Sequence, residues 1–360
     1  MKRTLTLLIA TLALCAAQAD VIKIGALLPL SGEYDFVGKA NQEGMQMALS
    51  EAEGKTKHQY KVIYEDTGFV PGRTSLAAQK LINIDRVDIL TSLWSVELSA
   101  VEPIADAKKI PNFAQDYNLN DLPKHKYTFK ISQPCDVQAA MQTKIIERLR
   151  CKRVAILWQY SADWMYAIPY LLAEIRKDPS LEIVANEKFI SPTRDFRTML
   201  AKINEERPDI LVVWSLLPES EIILRQSREL GMKYRISGYY EDLNEKKLGE
   251  GMHFFCATNP AGAWVAAYKE RFHKEPAYGV NLGYDQMQAL IKVYESFDHK
   301  PDGLALIDKA THLPPWVGAS GICAPRPDRM IAQAFKYVKY ENGQMVPDPL
   351  FEDLNKEMGW

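Results

Sequence analysis

Aromatic rings, amides and two acids gather in the short stretches that follow strand-like runs. Ser31, Tyr34 and Phe36 come after the run at 21–28, and Trp94 and Ser95 after 87–91. Gln115, Asp116 and Tyr117 follow 110–114. Further along, Tyr160 to Trp164, then Trp214 with Ser215, then Tyr239, Tyr240 and Glu241 hold equivalent places. Rings combined with a carboxylate suit an aromatic solute stacked between faces, or a cation held over them. In open α/β sheets such chemistry sits beyond the carboxyl ends of the strands, where helix N-termini aim N–H groups inward. The candidate ligand contacts are therefore Ser31, Phe36, Trp94, Ser95, Gln115, Asp116, Tyr117, Trp164, Tyr240 and Glu241, with Tyr34 a weaker candidate. Tyr166 and Tyr170 share one helical face and are expected in the core.

Catalytic signatures are missing from the sequence. A dinucleotide enzyme would carry Gly-x-Gly-x-x-Gly after the first strand, where Pro29-Leu30-Ser31-Gly32 stands instead. No Gly-x-x-x-x-Gly-Lys phosphate loop and no His-Glu-x-x-His metal motif occurs. The segment around Ser320 lacks the spacing of a hydrolase elbow, and Ser31 has no base near it in sequence. The expectation is a binding protein rather than an enzyme, with no cofactor and no metal.

The elements that must position these residues begin behind a different kind of segment. Lys2 and Arg3 precede an apolar run over 5–16, then Ala17-Gln18-Ala19. That is the pattern of a secretory signal peptide, with cleavage expected after Ala19. The run is short for a bilayer span, and Leu14 stands before Cys15 where lipid-attachment signals carry a small residue. Losing Lys2 and Arg3 from a net charge of −2 leaves about −4. With 44 basic and 46 acidic side chains and no cationic run, nucleic acid is not an expected partner. Export places the remaining cysteines, Cys135, Cys151, Cys256 and Cys323, in an oxidising compartment. Three connectivities exist; Cys135–Cys151 and Cys256–Cys323 are the favoured disulfides, with buried thiols as the alternative.

A chain of 360 residues exceeds one compact core, so two domains are expected. Strand-like and helix-like runs alternate twice: over 21–114, and again from 139 to 237 after "HKYTFKISQP". Repeated βαβ units predict parallel sheets covered by helices on both faces. In the helix over 284–297, Met287, Leu290, Ile291, Tyr294 and Phe297 form an apolar stripe that reads as core. "AFKYVKYENGQMV" alternates around Asn342-Gly343 and predicts a hairpin.

The order of these segments resembles the type I periplasmic solute-binding proteins of ABC transporters, in the branched-chain amino-acid receptor group. "IKIGALLPLSG", "GMQMALSEAE" and "YKVIYEDTG" are similar to that family's first lobe. "KRVAILW", "DFRTMLAKINEERPDILVVW" and "ILRQSRELGM" are similar to its second, and "NLGYDQMQALI" to its late helix. The resemblance implies two Rossmann-like lobes joined by three crossovers, with lobe I at 20–131 and 259–321, and lobe II at 132–258 and 322–360. It implies a monomeric periplasmic receptor that closes on a small-molecule ligand and delivers it to an inner-membrane ABC permease with its ATPase. A receptor serving a signalling partner is the alternative. By resemblance, Ser95 would help to hold a ligand carboxylate, and Glu241 an ammonium. Two departures stand out: Ala114-Gln115-Asp116 replaces Ala-x-Thr, and Ala162-Asp163 replaces Tyr-Gly. An ionised Asp116 beside a carboxylate would repel it. The implied ligand is thus an amino acid or, from the rings, an aromatic or cationic molecule.

Overall fold

The computed structural model describes residues 20–239, 243–257 and 262–357. In chain order the first strands are β1 (Val21–Leu28), β2 (Gln59–Asp66), β3 (Ile89–Leu93), β4 (Asn112–Gln115) and β5 (Thr128–Ser132). Next come β6 (Arg153–Gln159), β7 (Glu182–Phe189), β8 (Ile210–Trp214), β9 (Arg235–Tyr239) and β10 (His253–Ala257). The last are β11 (Trp316–Gly318), β12 (Gly321–Pro325), β13 (Met330–Gln333), β14 (Phe335–Glu341) and β15 (Gln344–Pro347). Helices that cover them include α1 (Asp35–Ala52), α2 (Pro71–Lys80), α3 (Trp94–Lys108), α4 (Cys135–Arg148) and α5 (Ala162–Ile175). Later ones are α6 (Arg197–Glu205), α7 (Glu219–Glu229), α8 (Gly262–Phe272) and α9 (Val280–Tyr294).

Two sheets result. One has the order β11-β12-β13-β5-β4-β3-β1-β2, the other β15-β14-β10-β9-β8-β6-β7. From β2 to β13 and from β7 to β10 neighbouring strands run parallel, as the βαβ pattern requires. Such strands are buried on both faces and read as continuous apolar runs, of which Ile210 to Trp214 is the purest case. Each sheet ends in antiparallel strands, β12 and β11 on the first, β14 and β15 on the second, so the sheets are mixed at one edge. The hairpin expected at Asn342-Gly343 joins β14 to β15. Its two turn residues have φ of 54° and 71°, the doubly left-handed turn that favours Asn-Gly.

The first sheet's core carries the apolar stripe of α9, where Met287 and Leu290 are fully buried. α1 and α9 cross so closely that a Cβ on Gly44 would stand 1.9 Å from the Val280 carbonyl oxygen. Only glycine permits that approach. The chain passes between the sheets after β5, after β10 and after β13. The last passage corrects the expected handover at 321/322. β12 pairs with β13, and β13 with β5, so the chain leaves the first sheet only around Ala334.

The expected disulfides are absent, and all four cysteines are buried thiols. A 14-residue α4 separates Cys135 from Cys151, and a helix of that length holds its ends about 20 Å apart. Cys256 lies in β10 of one sheet and Cys323 in β12 of the other, so neither favoured pair can meet. Burial also pushes the thiols of Cys135 and Cys323 upward, away from the reactive thiolate form. Among the described residues no helix is long and apolar enough to cross a membrane.

Candidate functional site

A cavity of about 380 Å³ lies between the carboxyl edges of the two sheets. Tyr34, Trp94, Gln115 and Tyr117 reach it from the first sheet, and Trp164, Ser215 and Leu216 from the second. Ile131, Ser132 and Gln133 line it from the first passage between the sheets. Its position follows from the topology: parallel strands end there, and the loops beyond them converge.

The rings occupy the two walls differently. Trp94 opens α3 with φ of 48°, and Phe69 has φ of 60°. Bulky side chains rarely adopt that left-handed backbone, which costs on the order of 1 kcal/mol or more per residue. The two strained rings pack edge-to-face at 5.5 Å between centroids, and Tyr34 meets Phe69 at 4.6 Å and Trp94 at 6.1 Å. On the facing side Trp164 lies nearly parallel to Tyr117 at 6.3 Å and leans on Trp214 at 5.4 Å. Trp214 is fully buried and belongs to the core. Phe36 sits in the first turn of α1 and is exposed at the cavity mouth.

Between these walls runs a row of amides. Leu93, Gln115 and Ile131 are cross-strand neighbours, and Ser132 pairs with Ala332, so Gln133 and Gln333 follow side by side. Gln115 donates from Nε2 to Asn41 Oδ1 at 2.6 Å and Gln286 Oε1 at 3.0 Å. Those acceptors are themselves fixed, since Asn41 donates to the Val37 carbonyl and Gln286 to the Phe113 carbonyl. Gln138, on α4, donates to the Gln133 carbonyl at 2.7 Å, and Gln333 donates to Asp285 at 2.9 Å. Asp285 also accepts from the Ala319 and Ser320 amides; burial outweighs those bonds and raises its carboxyl to about 6.

Charge is turned away from the cavity. Asp116 accepts from Ser95 Oγ at 2.7 Å and from Lys130 Nζ at 2.7 Å. Lys130 also reaches Asp121 at 2.6 Å and the Asn118 carbonyl at 2.9 Å. Burial works against the Lys130 charge, but Asp116 and Asp121 outweigh it and hold its pKa above the ordinary value. Ser31 is engaged elsewhere too: its hydroxyl donates to Asp66 Oδ2 at 2.6 Å. Burial opposes the charge on Asp66, yet bonds from Ser31, Gly68, Leu30 and Arg73 hold its carboxyl at about 2.

Of the residues singled out from sequence, Phe36, Trp94, Gln115, Tyr117 and Trp164 line the cavity, as does Tyr34. Ser31, Ser95 and Asp116 do not, because their polar groups are bound to one another, to Lys130 and to Asp66. Tyr240 and Glu241 lie outside the described residues. Sequence reasoning missed Gln133, Gln138 and Gln333. The strand-end rule applied to β5 would have found Gln133, but that segment was read only as a boundary. A larger groove of about 810 Å³ opens at the opposite end of the second sheet, by Arg150, Arg207 and Lys233. It borders one sheet alone and faces solvent, so the cleft between the sheets is the candidate site.

Two lobes with a cleft at facing strand ends define a two-lobed binding protein of α/β type. The chain matches the periplasmic binding protein family over residues 21–344, and it belongs to that family. It is 20% identical over 340 residues to a Leu/Ile/Val-binding protein homolog of Brucella melitensis, covering 85% of this chain and 84% of the relative. The solved structure of a leucine-binding protein from Thermotoga maritima superposes with a TM-score of 0.74, at 23% identity, over 91% of this chain and 97% of that one. A solute-binding protein of an ABC transporter from Rhodopseudomonas palustris, solved with 3,4-dihydroxybenzoic acid, gives a TM-score of 0.76 at 21% identity, over 91% and 96%.

Proposed function

We propose that the mature chain, cleaved after Ala19, is a periplasmic solute receptor that binds a small organic molecule between two hinged lobes. Lobe I comprises the first sheet with α1–α3, α8 and α9, and lobe II the second sheet with α4–α7. The loaded receptor delivers its solute to an inner-membrane ABC permease driven by its ATPase. It acts as a monomer and performs no catalysis. The observation that carries this reading is the cavity itself, built from side chains of both sheets at the ends of parallel strands. Closure of the lobes buries the solute, and the solute favours the closed state by its differential contacts with it.

The lining favours a ligand with a flat apolar body. Tyr34, Phe36, Trp94, Tyr117, Trp164 and Tyr278 contribute rings. Relatives named for branched-chain amino acids and one solved with a dihydroxybenzoic acid support an amino acid or an aromatic solute. The cationic alternative loses one of its two carboxylates, since Asp116 is already held by Lys130 and Ser95.

The test is mass spectrometry of the purified protein before and after denaturation, followed by calorimetry with the released compound. A stoichiometric solute that rebinds supports the receptor reading. At a hundred times its dissociation constant it adds about 2.7 kcal/mol to the stability. A protein that carries nothing and responds to no solute panel is not such a receptor.

A further inference from the structure

Donors and acceptors around the cleft do not balance, and the imbalance has a chemical shape. Gln115, Gln133 and Gln138 all line the cavity, and each is more than nine-tenths buried. Gln115 Oε1, Gln138 Oε1 and Gln133 Nε2 are shielded from water and have no partner among the described residues. The orientations of Gln115 and Gln138 are fixed, because their Nε2 groups donate to Asn41, Gln286 and the Gln133 carbonyl. The residues that line the site therefore leave two amide oxygens without a donor and one amide nitrogen without an acceptor. Leaving a buried polar group unsatisfied costs about 1–3 kcal/mol, so a ligand that completes all three is strongly preferred.

A primary carboxamide carries two N–H donors and one carbonyl acceptor. We propose that the cleft selects an uncharged aromatic carboxamide: its amide docks on Gln115, Gln133 and Gln138, and its ring lies against Tyr34, Trp94 and Tyr278. This rests on the receptor reading above and narrows its ligand. A carboxylate has acceptors only, so it would set its oxygens against two amide oxygens in a cavity where no described lining residue is charged. An ammonium has donors only and leaves Gln133 Nε2 unanswered. Asp116, the buried carboxylate next to Gln115 in the chain, is already paired with Lys130. A zwitterionic amino acid supplies both donors and acceptors, but it brings two full charges into a cavity where no described lining residue is charged. Lobe II supplies Trp164, Ser215, Leu216 and Leu217, which complete the lid over a flat solute without adding charge.

The experiment uses the mature chain, freed of carried ligand by refolding, with isosteric probes: benzamide, benzoate and benzylamine, then nicotinamide, nicotinate and leucine. Calorimetry and thermal shift are expected to show the two amides binding at least tenfold more tightly than their acid or amine counterparts. Gln133→Leu is expected to weaken benzamide about tenfold without lowering the unfolding temperature of the empty protein, because Gln133 Nε2 makes no bond within the described protein and its loss removes an unsatisfied buried group. Gln138→Leu gives a second reading of the same amide contact. Tighter binding of benzoate, benzylamine or leucine overturns the carboxamide assignment and leaves the receptor reading standing. If no probe binds but a solute is released on denaturation, its structure decides: a carboxamide supports the assignment and any other group overturns it. If no probe binds and no solute is released, the receptor reading itself falls.

Discussion

Gln115 and Asp116 are consecutive, and both are almost wholly shielded from water, yet they meet opposite fates. The Asp116 carboxylate is bound by Lys130 and Ser95 behind the sheet edge. Gln115 faces forward, tethered by its nitrogen and with its oxygen unmatched. The contrast extends along the sheet: Asp116, Lys130 and Asp121 form a charged row that is internally complete, and Gln115, Gln133 and Gln138 form an amide row with capacity to spare. A complete buried charge cluster holds a structure together, while an incomplete neutral one is ready for something else.

The sharpest way to break this comparison is to uncover the charged row. Lys130→Met leaves two carboxylates facing each other, one of them fully buried. Removing one partner of a buried ion pair typically costs about 3–5 kcal/mol, and that loss is expected in urea unfolding. Adding Asp116→Asn to Lys130→Met removes the fully buried charge and is expected to restore about 2 kcal/mol, a coupling read directly from the double-mutant cycle. If the two substitutions simply add, the row is not a unit.

How much of this was legible beforehand depends on length and periodicity. β1 and the α9 stripe could be read because eight residues of strand and four helical turns carry enough pattern to outweigh local noise. β11 to β13 are only three to five residues long, and the first two are interrupted by Gly318, Gly321 and Pro325, so their membership in the first sheet left no periodic trace. That is why the third passage was placed about a dozen residues early. Lys130 sits in a strand reading Thr-Phe-Lys-Ile-Ser, where a lysine suggests a solvated edge, yet it is wholly buried. Nothing local announces that Asp116 and Asp121 return to meet it. Tryptophans and tyrosines drew attention to the cleft because rings are conspicuous in a sequence. Glutamines are not, and their significance appears only when strand register lines them up.

A smaller effect tests the edge of the charged row. Glu102 is buried beside Asp121, Lys130, Asp116 and Asp106, and His125 approaches it at 3.6 Å. Burial foremost, then the charge of Asp121, raises its carboxyl to about 8, against a partial opposing pull from Lys130. The folded protein thus holds a proton that the unfolded chain releases. The stabilising contribution is complete below the ordinary glutamate range and is lost as pH rises through about 8. Each such proton contributes a slope of up to about 1.4 kcal/mol per pH unit between those limits. With the surrounding charges relaxing, the net loss between pH 5 and pH 8 is expected to be about 2 kcal/mol. Glu97, raised by burial to about 7, adds to it in the same direction. Glu102→Gln is expected to flatten the wild-type decline, measured as unfolding free energy at a series of pH values. An unchanged slope would mean that the glutamate is ionised in the folded state.

The smallest effect is the most discriminating, because Ser95 belongs to the charged row by geometry and to the ligand by family resemblance. Its hydroxyl donates to Asp116 at 2.7 Å, and the residue is buried. If that bond is its role, Ser95→Ala removes one charge-assisted hydrogen bond from a carboxylate that keeps Lys130. The expected loss is about 1.5 kcal/mol of stability, with affinity for the co-purifying solute changed less than twofold. If the hydroxyl instead turns to the ligand on closure, the pattern inverts: stability stays level and affinity falls at least tenfold. Chemical denaturation and calorimetry on one variant therefore decide which row Ser95 serves, and with it whether the boundary between structural charge and binding amide runs between residues 115 and 116.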